Sequence, residues 1–331
     1  MPETRLRIAS FNLENLGQEL PDGPSREARI RALRPMLRRL RADVLCLQEV
    51  NAERRAKGRP REMTALQALV DGTAYAGWRA HATASAAGSG PMDVHNLVIV
   101  SRFPILARRQ VLHELVTAPD YRPRAGGYVG PNSSPLQWDR PILCARLDIG
   151  GGRRLEVVNL HLRAPLAVPL AGQKVGPFSW RSTAAWAEGF FMAGIKRAGQ
   201  ALEARLVLEE MFAVAPEPLI AVAGDFNAEL HEVPVRIVMG GEEDTGNGDL
   251  AERALVAVER ALPPAQRFTV SHRGRPQMLD HILASRALMG SFRHVEVHNE
   301  ALADELVGYH GIERSPESFH APVVAEFVLE D

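Results

Sequence analysis

Only two cysteines occur in 331 residues, so no disulfide framework holds this chain together. Cys46 and Cys144 each sit inside an apolar run (VLCLQ and ILCAR), where a buried, reduced thiol is the ordinary outcome. Long apolar stretches are missing too. No run reaches the roughly 18 residues a membrane helix needs, and the opening MPETRLRIAS has no apolar stretch leading to a small-residue cleavage site. A soluble protein of a reducing, cytoplasmic compartment is expected, with no membrane partner. Charge of one sign is also lacking: 39 Lys and Arg against 40 Asp and Glu leave a net charge of -1. The molecule as a whole therefore has no signature of a general nucleic-acid binder, and any basic patch must be local. The absence of a fixed repeat or low-complexity tract argues against solenoids and propellers. The absence of a Gly-x-Ser-x-Gly turn argues against a serine-nucleophile α/β hydrolase.

What is present is an ordinary globular composition, 46% hydrophobic and 24% charged, ample for a buried core. Short β-like runs recur from end to end: LRIASFNL, DVLCLQEV, NLVIVSR, PILCARLDI, RLEVVNLHL, LIAVAGDF, LDHILAS and APVVAEFVL. Helical spacing joins some of them. Ile30, Leu33, Leu37 and Leu40 follow a candidate N-cap at Ser25, with Pro35 inside the pattern and arginines on a face read as solvated. Two further helices are expected over about 182–212 and 249–261. Segments 85–91, 119–135 and 164–177, rich in Gly, Pro, Ser and Ala, read as long loops.

Most of these strands end in residues suited to metal or phosphate chemistry. The first closes on Asn12 and Glu14, which strand alternation puts on one face. The next stays apolar from Val44 until Gln48 and Glu49, projecting a carboxylate from a rigid base; a hard cation such as Mg²⁺ prefers such oxygen ligands. NLHL ends on His161, GDFN supplies Asp225 and Asn227 two residues apart, LDHI carries Asp280, and the last strand follows His320. Singly, each has a bland alternative as a turn former, helix cap or core histidine.

Together, in this order, NLEN, LQEV, NLHL, GDFN, LDHI and HAPV resemble the endonuclease/exonuclease/phosphatase superfamily along almost the whole chain, and the exit Ser101-Arg102-Phe103-Pro104-Ile105 strengthens the likeness. The resemblance implies a single domain over 1–331 with a four-layer α-β-β-α sandwich of two mixed, mainly antiparallel sheets. It also implies a metal-dependent phosphoesterase. By the same resemblance Asn12 and Glu49 hold Mg²⁺ or Mn²⁺, with Glu14 as a water-mediated acidic contact. Asp225 orients or deprotonates the attacking water, and Asn227 donates to the phosphate. Asp280 supports a charged His320 against the pentavalent phosphorane, and His161 touches a phosphate oxygen.

One departure stands out. The family's C-terminal signature reads Ser-Asp-His, and this chain has Ser318-Phe319-His320. Phenylalanine cannot bind a cation, so the ion is held with fewer carboxylates, with Glu14 or Asp139 compensating, or the site is retuned for another metal, or it is degenerate. A noncatalytic phosphate-ligand binding protein on the same scaffold is the alternative function. For the substrate, a nucleic acid or a small phosphate ester, loops decide. Arg163, Lys174, Arg181, Tyr128 and Arg140 lie in or beside loops able to cover the site, and Trp138 and Trp180 either stack on a base or pack the loops down. The near-neutral charge favours a small or short substrate over long duplex DNA.

Overall fold

The structure is a computed structural model describing residues 4–19, 23–54, 59–86, 88, 90–125, 133–306 and 315–330. In chain order the main elements are β1 (Thr4–Leu16), α1 (Arg26–Leu40), β2 (Val44–Val50), α2 (Thr64–Val70), β3 (Arg79–Ala82), β4 (Asn96–Ser101), β5 (Ile105–Val111), β6 (Ile142–Gly150) and β7 (Arg153–His161). They continue with α3 (Thr183–Val214), β8 (Leu219–Asp225), α4 (Val233–Met239), β9 (Leu255–Ala257), β10 (Asp280–Ser285), β11 (Phe292–Val297) and β12 (Val323–Leu329).

Two six-stranded sheets form, ordered β11-β12-β1-β2-β4-β3 and β9-β10-β8-β7-β6-β5. Each is antiparallel apart from one central parallel pair, β1 with β2 and β8 with β7. Strand alternation builds the layers. Leu6, Ile8, Val44, Cys46, Leu97 and Ile99 of the first sheet meet Leu143, Leu155, Val157, Ala221 and Ile282 of the second in one apolar layer. The residues between them face outward. Phe11, Leu45 and Leu47 lie under Leu33, Leu37 and Leu40 of α1 and Leu66 and Leu69 of α2. Val158, Leu160 and Val222 lie under Ala204, Val207 and Leu208 of α3 and Val235 and Val238 of α4. The result is the expected α-β-β-α sandwich, with both cysteines free and buried.

Ser25 caps α1, accepting from the Ala28 amide at 3.2 Å, and the helix runs on through Pro35. Its arginines are not all solvated: Arg29 donates to the carbonyls of Leu13 and Glu14, and Arg34 to those of Ala68 and Leu69, docking α1 onto the end of β1 and onto α2. Ser182 caps α3 through the Ala185 amide at 3.1 Å. The helix expected over 249–261 does not form. Short 3-10 turns flank β9 there, because pairing Leu255–Ala257 with the open edge of β10 satisfies that edge while burying Leu255 and Ala257 beneath α4. Among the described residues no helix is long and apolar enough to cross a membrane.

Candidate active site

The site lies where the apolar inter-sheet layer ends and a polar link replaces it. Gln48 Nε2 donates across the sheets to Asn159 Oδ1 at 2.8 Å, and Asn159 Nδ2 donates to the carbonyls of Leu47 at 3.0 Å and Val98 at 3.1 Å. Both amides are fully buried. This bond sets the end of β2, where Glu49 follows Gln48, against the end of β7, where His161 stands two residues beyond Asn159. These strand ends are legible in the sequence, whereas nothing local marks Gln48 and Asn159 as the link between the sheets.

In the second sheet the ladder lines up three of the expected site residues. Asp225 pairs in register with His161 on one side and with Asp280 on the other. Gly224 makes this row possible: its φ is +154, and a Cβ there would lie 2.0 Å from the Leu160 carbonyl oxygen. Asn227, in the left-handed region at φ 49, turns its amide back so that Nδ2 donates to Asp225 Oδ2 at 3.0 Å and to the Leu162 carbonyl at 3.0 Å.

The first sheet supplies the opposite wall. Alternation fails at the ends of β1 and β2: Glu14, Asn15 and Glu49 all have positive φ, and the pairing of β1 with β2 shifts register beyond Asn12. Asn12 and Glu14 are therefore not set by strand alternation alone, though Glu14 still feels the charges of Glu49 and His320. Asn12 Nδ2 donates to Asp225 Oδ2 at 3.0 Å and to Glu49 Oε1 at 3.3 Å, while its Oδ1 accepts from the Glu14 amide at 2.8 Å. As placed, Asn12 presents a donor to the carboxylates; ligation through its oxygen requires half a turn of the amide. Glu14 Oε2 accepts from the Phe319 amide at 2.9 Å, so the residue that breaks the C-terminal signature still anchors an acid through its backbone. Burial raises the Glu14 pKa against that hydrogen bond.

His320 Nδ1 lies 2.8 Å from Asp280 Oδ2, and its backbone is set by Ser318, whose hydroxyl donates to the Asn12 carbonyl. Burial opposes a charged imidazole here, yet Asp280 and Asp225 outweigh it and hold the His320 pKa well above its usual value. Burial, with Asp280 alongside, pushes Asp225 up to about 7. His161, 1% exposed, goes the other way: burial reinforced by Arg140 drives it well below its usual value and keeps it neutral. Its Nε2 lies 3.3 Å from Asp225 Oδ2 and 3.6 Å from Glu49 Oε1, and its Nδ1 is buried with no hydrogen-bond partner.

Two groupings result. Asp225, Asp280 and His320 form one; Glu49, His161 and His95 form the other, each with atoms spaced for a shared ion. His95, just ahead of β4, was missed in the sequence because nothing local in DVHNLVIV marks it; only the pairing of β4 with β2 brings it to Glu49. Arg140 also belongs here, donating to the Leu162 carbonyl at 3.1 Å while its charge feels Glu49 and Asp225.

The loop residues divide. Trp138 is buried and donates its indole N–H to Glu203 at 2.9 Å, so packing, not base stacking, is its role. Trp180 packs half-buried with Leu136, Leu170 and Met192 under the Lys174 ammonium, 4.7 Å from its ring. Lys174 donates to the Pro177 carbonyl and Arg181 to that of Gly172, each closing its own loop. Arg163 pairs with Asp139, which is largely exposed and also faces Lys196, so Asp139 stands in a surface ion pair rather than among the metal-site carboxylates. Tyr128 lies outside the described residues.

Comparison with known proteins accords with this geometry. No protein of curated function matches the chain by sequence. An endonuclease/exonuclease/phosphatase protein of Bacteroides vulgatus superposes with a TM-score of 0.57 at 15% identity, covering 99% of this chain and 100% of its own. Truncated Caenorhabditis elegans TDP2 gives 0.56 at 15% identity over 98% of each chain. The 3′ phosphatase NExo of Neisseria, bound to a product DNA hairpin, gives 0.53 at 18% identity over 97% of this chain and 99% of its own. The family model for the Endonuclease/Exonuclease/phosphatase family matches residues 9–301, and the chain belongs to that family.

Proposed function

We propose that the chain is a divalent-cation-dependent hydrolase of phosphoester bonds that acts by in-line attack of water. The observation that carries this reading is the row of His161, Asp225 and Asp280 on one sheet facing Asn12 and Glu49 on the other, with His320 held by Asp280. The donor set suits the cation: Glu49 offers a carboxylate oxygen and Asn12 an amide oxygen once turned. Bound there, Mg²⁺ or Mn²⁺ would polarise a nonbridging phosphoryl oxygen.

The chain's own residues perform the rest. Asp225, with a pKa of about 7, takes the proton from the attacking water, and Asn227, whose Nδ2 lies 3.0 Å from its Oδ2, keeps that carboxylate aimed. His320 stays protonated beside Asp280 and donates as charge gathers on the phosphorane. His161 contacts a phosphate oxygen, and Glu14 supports the centre from its edge at Phe319.

A small or short substrate, a nucleotide, nucleic-acid end or phosphate ester, is favoured because the chain carries a net charge of only -1 and Arg163, Lys174 and Arg181 bond within the protein's own loops. That relatives include a DNA-bound 3′ phosphatase is consistent with a nucleic-acid end as substrate.

The test is hydrolysis of bis-p-nitrophenyl phosphate, DNA, RNA and phosphomonoesters with Mg²⁺, Mn²⁺ or EDTA. Turnover should require the ion and should fall by orders of magnitude in Asp225→Asn and in His320→Ala, with unchanged far-ultraviolet circular dichroism. Near-normal turnover in both variants would sink the assignment, and preferential cleavage of long plasmid DNA would count against the substrate. Phosphate binding without turnover would favour the noncatalytic alternative suggested by Phe319.

A further inference from the structure

His95 has no task in the chemistry above, yet it stands at the centre of it. Its Nδ1 lies 3.8 Å from Glu49 Oε2 while His161 Nε2 lies 3.6 Å from Glu49 Oε1, so the two oxygens of one carboxylate each face an imidazole nitrogen. One ligand atom from each of the three residues falls within 4.8 Å of the others. His95 Nδ1 is buried and makes no hydrogen bond, and a buried polar atom left so is uncommon.

The backbone adds a second observation. His95 sits in the left-handed region at φ 56, pinned there by its own amide donating to Asn51 Oδ1 at 2.9 Å. A side chain in that conformation carries a backbone strain that glycine would avoid. What the histidine brings is an imidazole beside Glu49. The acidic side of the centre is meanwhile thinner than the resemblance implies: Phe319 offers no ligand, and Asp139 stands in a surface ion pair.

We propose that His95 is a nitrogen ligand to the cation at Glu49, and that this centre consequently selects a transition-metal ion such as Mn²⁺, Co²⁺ or Zn²⁺ over Mg²⁺. Mg²⁺ demands a near-octahedral set of oxygens, whereas imidazole suits the later divalent ions. The inference rests on the proposed cation-dependent function and narrows it to a class of metal.

The experiment is metal binding by the full chain, followed by calorimetry for Mg²⁺ and Mn²⁺ and by the visible absorption of bound Co²⁺, in wild type and His95→Gly. Glycine removes the imidazole and relieves the left-handed backbone, so the variant is expected to fold; a His95→Asn variant, which also tolerates that backbone, guards against a defect peculiar to glycine. Loss of even an outer-shell partner typically weakens metal binding about 10–100-fold, so both variants should bind Co²⁺ and Mn²⁺ at least about tenfold more weakly, with a changed Co²⁺ spectrum. Mg²⁺ affinity should move by less than about threefold. Unchanged Co²⁺ and Mn²⁺ affinities, or a wild type that binds Mg²⁺ as tightly as Mn²⁺, would overturn the proposal. The two readings fail separately: nitrogen-dependent ion binding without hydrolysis refutes the enzyme and leaves the ligand assignment standing, and hydrolysis indifferent to His95 with Mg²⁺ preferred does the reverse.

Discussion

Replacing Asn159 with leucine should loosen the two sheets at the end that carries the site. The side chain is fully buried and makes three hydrogen bonds, accepting from Gln48 and donating to the Leu47 and Val98 carbonyls. Leucine fills nearly the same volume and makes none of them. Three bonds at a net contribution of about 1 kcal/mol each give about 3 kcal/mol, and buried groups left without partners push the cost higher, offset in part by the apolar atoms gained. In urea the unfolding midpoint should fall accordingly with an unchanged slope, since the surface exposed on unfolding stays the same. Turnover should fall as well, because Glu49 and His161 are one and two residues from the linked amides. A loss of stability below about 1 kcal/mol would refute the reasoning, because it would mean that the inter-sheet amide link contributes no more than one ordinary hydrogen bond.

Two further substitutions probe the surroundings. His281 is fully buried between Glu259, 2.5 Å from its Nδ1, and the Ala228 carbonyl, 2.7 Å from its Nε2; with acceptors on both nitrogens the ring is held as imidazolium. Burial opposes that charge, but Glu259 and the Ala228 carbonyl outweigh it and raise the pKa. A raised histidine stabilises the fold fully below its unfolded value of about 6.5 and loses that contribution as pH rises through the folded value. Glu259→Gln should therefore be less stable than wild type by the widest margin near pH ~6, the gap narrowing toward pH ~9; a gap independent of pH in thermal melts would contradict the pair. Gly224→Ala should cost more than about 3 kcal/mol or abolish soluble expression, since its Cβ would lie 2.0 Å from the Leu160 oxygen, and a variant melting like wild type would show the turn to be pliable.

The strand ends could be read from the chain because local patterning creates them. An apolar run such as VLCL stops at Gln48 and Glu49, and AVAG stops at Asp225 and Asn227, so position along a strand alone exposes a polar side chain at its end. The helices at α1 and α3 were equally local, α1 announced by the cap Ser25 and a run of spaced apolar residues and α3 by a long uninterrupted stretch over about 182–212. The segment 249–261 misled, because its helical spacing competes with an unpaired sheet edge that no local window contains.

The amino-acid order by itself determined which residues end each strand, which faces are apolar and, through the family strings, which chemistry to expect. Tertiary structure alone decided how they meet. His320 finds Asp280 forty positions away, Asn12 reaches Asp225 from the other sheet, and His95 arrives at Glu49 only through the pairing of β4 with β2. The same holds for Trp138, whose indole is committed to a buried glutamate, and for the pKa of Asp225, which burial and a neighbouring carboxylate set. Register across sheets and the exclusion of water are long-range properties, and they turn a scatter of polar strand ends into one electrostatic centre.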